Sequence, residues 1–312
     1  MLILLLLLVN VGCSTDRNNI KDQASVIKIG YLPITHAAPL FVQKQQLEQS
    51  HPEYNIELIK FGTWPDLMDA LNTGRIDGAS VLIQLAMKAM EKGIDLSAVA
   101  LGHEDGNVLI ADREIETIQE MKDQSIAIPH IYSTQHLLVA ELLRLEDMEY
   151  DDIDIVELPP AEMPVALSEG RISGYVVAEP FGALGVKLGI GDVLTSSEEL
   201  WPNSYCCVLV LRDDFITSNM ELSETFVTDY VKAGVRANEK DDRLYNALLE
   251  YVKVEESTLD LSLEWITFDD LYMEKEAYND IYHQVLELNL MQTPPTYDEF
   301  VNRALMDRTK IR

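Results

Sequence analysis

Residues 70–78 read Ala-Leu-Asn-Thr-Gly-Arg-Ile-Asp-Gly, and residues 166–174 read Ala-Leu-Ser-Glu-Gly-Arg-Ile-Ser-Gly. Six of the nine positions are identical at a constant offset of 96, which marks a duplicated structural unit. Each copy carries the same physical logic. An amphipathic helix (64–72 in one, 161–168 in the other) ends at a glycine, the residue that most readily takes the left-handed cap. A short turn follows, then an apolar strand, at 79–83 and at 175–178. Continuous apolar strands behind helices indicate sheets covered on both faces and largely parallel.

The upstream segments repeat the pattern. Residues 26–31 read as a strand, followed by a loop ending in Thr35 and a helix bearing Leu40, Phe41, Val42 and Leu47. Residues 125–128 are the matching strand, with Ser133 and Thr134 before a helix bearing Leu137, Leu138, Leu142 and Leu143. Thr35, Ser133 and Thr134 are good helix-capping types. Each half thus reads strand–loop–helix–strand–helix–strand, an α/β lobe built on a small, mostly parallel sheet flanked by helices. Residues 106–111 form a candidate crossing strand and residues 206–211 a candidate return strand, with helices at 222–238, 241–253 and 274–288. The expected division is a leader and tether at 1–25, one lobe at 26–108 plus 209–312, and a second at 109–208. Ligands of such sheets sit at the carboxyl ends of the strands beside helix N-termini, and two facing lobes close by a hinge.

Twenty-four Lys and Arg against 53 Asp and Glu give a formal charge of −29. Such a surface repels phosphate backbones, so nucleic acid is not an expected partner. The apolar run at residues 2–9 is too short to span a bilayer, which needs about 20 residues, but it suits a signal-peptide core. The segment Asn10-Val11-Gly12-Cys13 that follows resembles a bacterial lipobox. The resemblance implies lipidation of Cys13 and an extracytoplasmic protein anchored to the cell membrane. Cys206 and Cys207 are adjacent, and neighbouring cysteines rarely pair, so they read as small buried hydrophobes. No Cys-x-x-Cys or His/Cys spacing signals zinc, and no metal or cofactor is expected.

The stretches Ile29-Gly-Tyr-Leu-Pro-Ile-Thr-His36, Gly62-Thr-Trp-Pro-Asp66, Gly74-Arg-Ile-Asp-Gly78 and Ala178-Glu-Pro-Phe181 resemble the nitrate/sulfonate/bicarbonate group of ABC-importer binding proteins, which includes taurine and thiamine-precursor binders. The resemblance covers roughly residues 26–212. It implies a two-lobed type II periplasmic-binding-protein fold and a monomeric protein that hands a small solute to an ABC permease powered by a separate ATPase.

Several residues are candidate ligand contacts. His36 ends the first strand's loop and either donates to a solute or satisfies nearby carbonyls. Trp64 offers a stacking face and one N–H, or packs in the core. Gln84, just past the first apolar strand, can donate and accept, or sits solvated on a loop. Glu179 holds the comparable place in the second copy, accepting from a ligand or bracing its lobe. Ser133, Thr134 and Gln135 stand where helix-start N–H groups face a cleft. His103 near the first crossover either braces a hinge or touches ligand. Arg75, Asp77 and Arg171 belong to turns at the opposite strand ends and read as structural. No Lys or Arg lies in the cleft loops, and Glu179 tilts the expected ligand toward a neutral or amine-bearing polar solute. No nucleophile elbow, phosphate loop or His-Glu-x-x-His motif is present, so a binding protein is expected rather than an enzyme. A vitamin-precursor enzyme on the same fold and a sensing domain without transport are the alternatives.

Overall fold

The computed structural model describes residues 25–50 and 54–309. The strands of the first half are β1 (Ser25–Tyr31), β2 (Tyr54–Lys60), β3 (Gly78–Leu82) and β4 (Leu96–Leu101). After a two-residue strand β5 (Glu104–Asp105) come β6 (Asn107–Asp112), β7 (Ser125–Ile128), β8 (Asp154–Glu157), β9 (Gly174–Ala178), β10 (Gly191–Ser196) and β11 (Cys207–Arg212). One sheet has the order β2-β1-β3-β11-β4; the other, read from its far edge, runs β8-β7-β9-β6-β10. The two orders correspond position by position, so the duplication seen in residues 70–78 and 166–174 extends to whole sheets.

Both sheets are mixed, with four strands running one way and one against them. β1 pairs in parallel with β2 and β3, and β7 with β8 and β9. β11 runs antiparallel to β3 and β4, and β6 antiparallel to β9 and β10. The reason lies in the crossings. β6 and β11 are the strands by which the chain has just passed from one sheet to the other, so each enters its sheet from the end where the repeat strands finish. The central strands β3 and β9 are buried along their whole length, which is why both read as unbroken apolar runs.

The repeated helices are α1 (Ala38–Ser50), α2 (Trp64–Asn72), α3 (Ile83–Glu91), α4 (Thr134–Leu145), α5 (Met163–Ser168) and α6 (Phe181–Lys187). α2 and α5 end alike. Gly74 and Gly170 take φ of 71° and 67°, and the amides of Arg75 and Arg171 donate to Ala70 and Ala166 at 2.9 and 3.0 Å. This is the six-to-one closure that a left-handed glycine permits, and it explains why that glycine recurs in both copies. Helices Met220–Asn238, Asp242–Tyr251 and Lys275–Glu287 complete the first lobe's core, close to the expected ranges. Among the described residues no helix is long and apolar enough to cross a membrane.

The crossings, residues 102–106 and 197–206, are tied to one another. Asp105 accepts from the amides of Asn203 and Ser204 and from the Ser204 hydroxyl, each at 3.3 Å. The Gly102 amide donates to the Cys207 carbonyl at 2.8 Å. A Cβ on Gly102 would stand 2.9 Å from that same oxygen, so glycine is what lets the crossings touch. β5 in the first crossing also pairs with a two-residue strand β12 (Ile266–Thr267).

Candidate functional site

The carboxyl ends of β1, β3, β7 and β9 converge at the crossings, and the residues just beyond them meet there. His36 lies in the 3-10 turn Thr35–Ala37 after β1. His103 lies in the first crossing, and Cys206 and Cys207 lie where the second crossing becomes β11. All four side chains are fully buried, and their donor atoms lie within 4.8 Å of one another. The two sulfurs are 3.9 Å apart and Cys207 Sγ is 3.6 Å from His36 Nδ1. The imidazoles overlap, with ring centres 3.7 Å apart.

Adjacent residues of a regular strand point to opposite faces. Cys206 escapes this because it lies outside the regular strand, which begins at Cys207, and the two sulfurs stand 3.9 Å apart. His36 is held by its far nitrogen, since Nε2–H donates to the Gly106 carbonyl at 2.8 Å, which turns Nδ1 toward Cys207. His103 has no hydrogen bond of good geometry at either ring nitrogen. Burial, followed by the adjacent His36, pushes its pKa down to about 4, so it is a neutral imidazole at neutral pH. Burial alone would raise both thiols. The Cys207 thiol and the two imidazoles more than offset this at Cys206, which is held well below the ordinary thiol range. Cys207 is pushed well above it, by burial and then by the Cys206 sulfur.

The remaining candidate residues divide into two sets. Gln84, Thr134 and Gln135 surround the cluster. Gln84 is buried in the first turn of α3 rather than on a loop, because the helix begins directly at Ile83. Its Nε2 donates to Thr134 Oγ1 at 2.8 Å, and that hydroxyl donates to the Tyr205 carbonyl at 2.7 Å. Gln135 Nε2 donates to Asn107 Oδ1 at 2.6 Å and to Cys206 Sγ at 3.4 Å. The Gln84 and Gln135 side-chain oxygens have no partner. Ser133 caps α4, accepting from the His136 amide at 3.1 Å, as expected of its type. Thr35 is not a helix cap; its amide and hydroxyl both donate to the Glu179 carbonyl, at 2.8 and 3.0 Å.

Glu179 and Trp64 stand apart. The Glu179 carboxylate is fully buried and accepts from the Ala183 amide at 3.1 Å. Burial raises its pKa to about 8, so it is mostly protonated at neutral pH. Trp64 is the first residue of α2, 2% exposed, with its N–H unpaired. It borders a cavity of about 210 Å³ between Thr63 and Pro65 on one side and Pro129, His130 and Glu157–Pro159 on the other. Arg75, Asp77 and Arg171 are in turns, where the Asp77 carboxylate accepts from the Lys28 amide at 2.8 Å. Cys13 lies outside the described residues.

No local pattern in the sequence signals that Cys206 and Cys207 join the two histidines. The four positions span 171 residues of chain and follow no metal-ligand spacing. They are buried as expected, but against imidazoles instead of hydrocarbon. The one available clue was that both cysteines open a return strand that must pass the crossover histidine.

The sequence pattern of the NMT1-like family matches residues 21–249. The ligand-binding component of an ABC-type import system from Staphylococcus aureus, solved with zinc bound, is 44% identical, with TM-score 0.88 over 92% of this chain and all of that one. The periplasmic nitrate-binding protein NrtA from Synechocystis PCC 6803 superposes with TM-score 0.81 at 17% identity, covering 92% of this chain and 88% of that one, a likeness of fold. The nitrate import ATP-binding protein NrtC from Synechocystis is 26% identical over 213 residues, 61% of this chain and 32% of that protein, so the chain spans about a third of that curated relative. The motifs quoted from residues 29–36, 62–78 and 178–181 thus point where the comparisons do, and the chain belongs to the NMT1-like family, with the two-lobed α/β fold of the periplasmic binding proteins it resembles.

Proposed function

We propose that this protein is the solute-binding component of an ABC importer and that its cargo is a thiophilic transition-metal ion of the zinc class. One observation carries the reading: His36, His103, Cys206 and Cys207 form a fully buried group with all donor atoms within 4.8 Å of one another. Tetrahedral zinc with bonds of about 2.3 Å to sulfur and about 2.05 Å to nitrogen sets sulfurs about 3.8 Å apart and sulfur and nitrogen about 3.6 Å apart. The measured separations are 3.9 and 3.6 Å. The neutral His103 imidazole and the Cys206 thiol, whose pKa its neighbours lower, suit a metal ion, and loading zinc releases thiol protons. The His36 bond to a backbone carbonyl is the outer contact that fixes a metal-binding histidine's tautomer.

The zinc bound in the 44% identical Staphylococcus aureus protein supports the choice of metal. An amine-bearing solute would need a Glu179 carboxylate open to the cleft, and that group is buried, mostly protonated at neutral pH and accepts from the Ala183 amide. In this reading His36 and His103 touch the cargo, while Gln84, Ser133, Thr134 and Gln135 line the closed cleft around it. Glu179 braces, and Trp64 packs in the core. The lobes follow the expected division, 26–108 plus 209–312 and 109–208, except that β6 carries Asn107 and Val108 into the second sheet and β11 carries Cys207 and Val208 into the first. A lipid on Cys13 holds the monomer to the outer face of the cell membrane, where it delivers its ion to a permease and ATPase without chemical conversion.

Competition titration tests this directly. The reduced, metal-free protein should take up one zinc per chain against a chromogenic chelator and give no calorimetric signal with nitrate, bicarbonate or taurine. Saturable anion binding with no zinc uptake would refute the metal reading and leave the importer reading standing.

A further inference from the structure

We propose that Lys88 and Tyr132 form a clasp across the rim of the cleft, a cation on an aromatic face that holds the lobes together and sets how fast a bound solute leaves. The inference rests on the solute-binding reading above but on none of the proposed metal ligands.

Lys88 belongs to α3 of the first lobe, and Tyr132 to the loop between β7 and α4 of the second. The Lys88 ammonium stands 5.0 Å from the centre of the Tyr132 ring, within reach of a cation–π contact. Gln84 and Lys88 are four residues apart on α3, so they share one face of the helix, a turn apart. They meet Thr134 and Tyr132, two residues apart on the other lobe. Gln84 and Thr134 are fully buried, whereas the Lys88 side chain is 18% exposed, which puts the second pair at the solvent edge of the same seam.

Each half of the clasp is braced within its own lobe. Lys88 Nζ donates to Glu91 Oε2 at 2.5 Å and to the Leu290 carbonyl at 3.1 Å. Glu91 Oε1 in turn accepts from the amides of Gln292 and Thr293 at 2.6 and 2.7 Å, so the first lobe alone aims the ammonium. Across the seam, the Tyr132 amide donates to His130 Nδ1 at 3.0 Å, and the two rings stack with centres 5.5 Å apart. The Ile131 amide donates to Glu157 Oε1 at 2.6 Å, and its carbonyl accepts from His136 Nδ1 at 2.8 Å. The Tyr132 ring nevertheless packs against the hydrophobic core built on the first lobe's sheet. A ring fixed to one lobe and seated on the other loses both its packing and its cation when the lobes part. A contact made only in the closed state shifts the equilibrium by its own free energy, which for a partly desolvated cation–π pair is a factor of about two to thirty. The fully buried cleft residues lie beneath it, so a solute escapes only through the open state and its release rate changes by that factor.

Thiol labelling of the reduced, metal-free protein tests this. Cys206 and Cys207 are fully buried, so a thiol reagent reaches them in proportion to the open population, read by mass on the peptide that carries both. Lys88→Met and Tyr132→Leu should label about two- to thirtyfold faster than wild type. Lys88→Arg and Tyr132→Phe, which keep the cation and the ring, should label at the wild-type rate. The Lys88→Met, Tyr132→Leu double variant should label no faster than the faster single variant. Opening exposes only the cleft, so labelling should rise with urea far less steeply than global unfolding does. Wild-type rates in Lys88→Met and Tyr132→Leu would overturn the proposal, as would additive effects in the double variant or the full urea dependence of unfolding. Zinc-loaded Lys88→Met should also release its ion to a chelator faster than wild type by the factor seen in labelling, and release at the wild-type rate would overturn the link to solute retention. A wild-type protein that takes up no zinc would refute the metal reading and leave thiol labelling to decide the clasp.

Discussion

Replacing His103 with leucine should make the metal-free protein more stable while removing most of its affinity for zinc. The side chain is fully buried, and neither ring nitrogen has a well-formed hydrogen bond. A buried polar atom without a well-formed partner costs up to about 1–3 kcal/mol, and a leucine of similar volume removes both, at the expense of the weaker contacts to Cys206 and the Glu104 backbone. Allowing for imperfect repacking, a net gain of about 1–2 kcal/mol is expected, which corresponds to a few degrees in Tm for a chain of this size. The same change removes one of four metal ligands. If zinc binding at such a site is worth about 10–16 kcal/mol, one ligand's share is about 3 kcal/mol, a loss of about 100-fold in affinity. Zinc at 100 times the wild-type dissociation constant stabilises wild type by about 2.7 kcal/mol; the variant, near half saturation, gains only about 0.4 kcal/mol. Thermal unfolding in chelator and in zinc reads both effects. A His103→Leu protein that melts below wild type in chelator would show that His103 is a satisfied core residue, and an undiminished zinc shift would remove it from the site.

Two other substitutions separate structure from binding. Trp64→Ala should destabilise the fold by about 3–5 kcal/mol, the usual cost of deleting a buried aromatic, and leave the zinc dissociation constant unchanged; a tenfold weaker constant with intact stability would return Trp64 to the ligand. Glu179 has a folded pKa raised by burial to about 8 from the model-compound value of 4.5. The folded state therefore keeps a proton that the unfolded chain releases, so this group's stabilisation is complete below pH 4.5 and is lost as pH rises through 8. Urea midpoints of wild type should fall across that window more steeply than those of Glu179→Gln, and parallel profiles would place the titrating group elsewhere.

Much of the fold could be read from residues 70–78 and 166–174 because a left-handed glycine after a helix leaves a strong local signature. The apolar strands β3 and β9 behind it report burial on both faces. Strand direction in β6 and β11 was not legible, since antiparallel entry is decided by where the chain crosses between lobes and not by local pattern. Within the site, His36, Gln84 and Thr134 were legible as residues just beyond strand ends. The cysteine pair was not, because Cys206 stands just outside β11, where strand alternation no longer says which way a side chain faces. For Glu179 the sequence left ligand contact and bracing open, and its carboxylate accepts from the Ala183 amide.

X-ray absorption at the zinc edge of the loaded protein would probe the four-ligand site most directly. Two sulfur neighbours at about 2.3 Å and two nitrogen neighbours at about 2.0–2.1 Å are expected, with both sulfurs lost in a Cys206→Ser, Cys207→Ser double variant. A shell of oxygen and nitrogen alone, or one unchanged in the double variant, would place the metal elsewhere and contradict the cargo site proposed between the lobes.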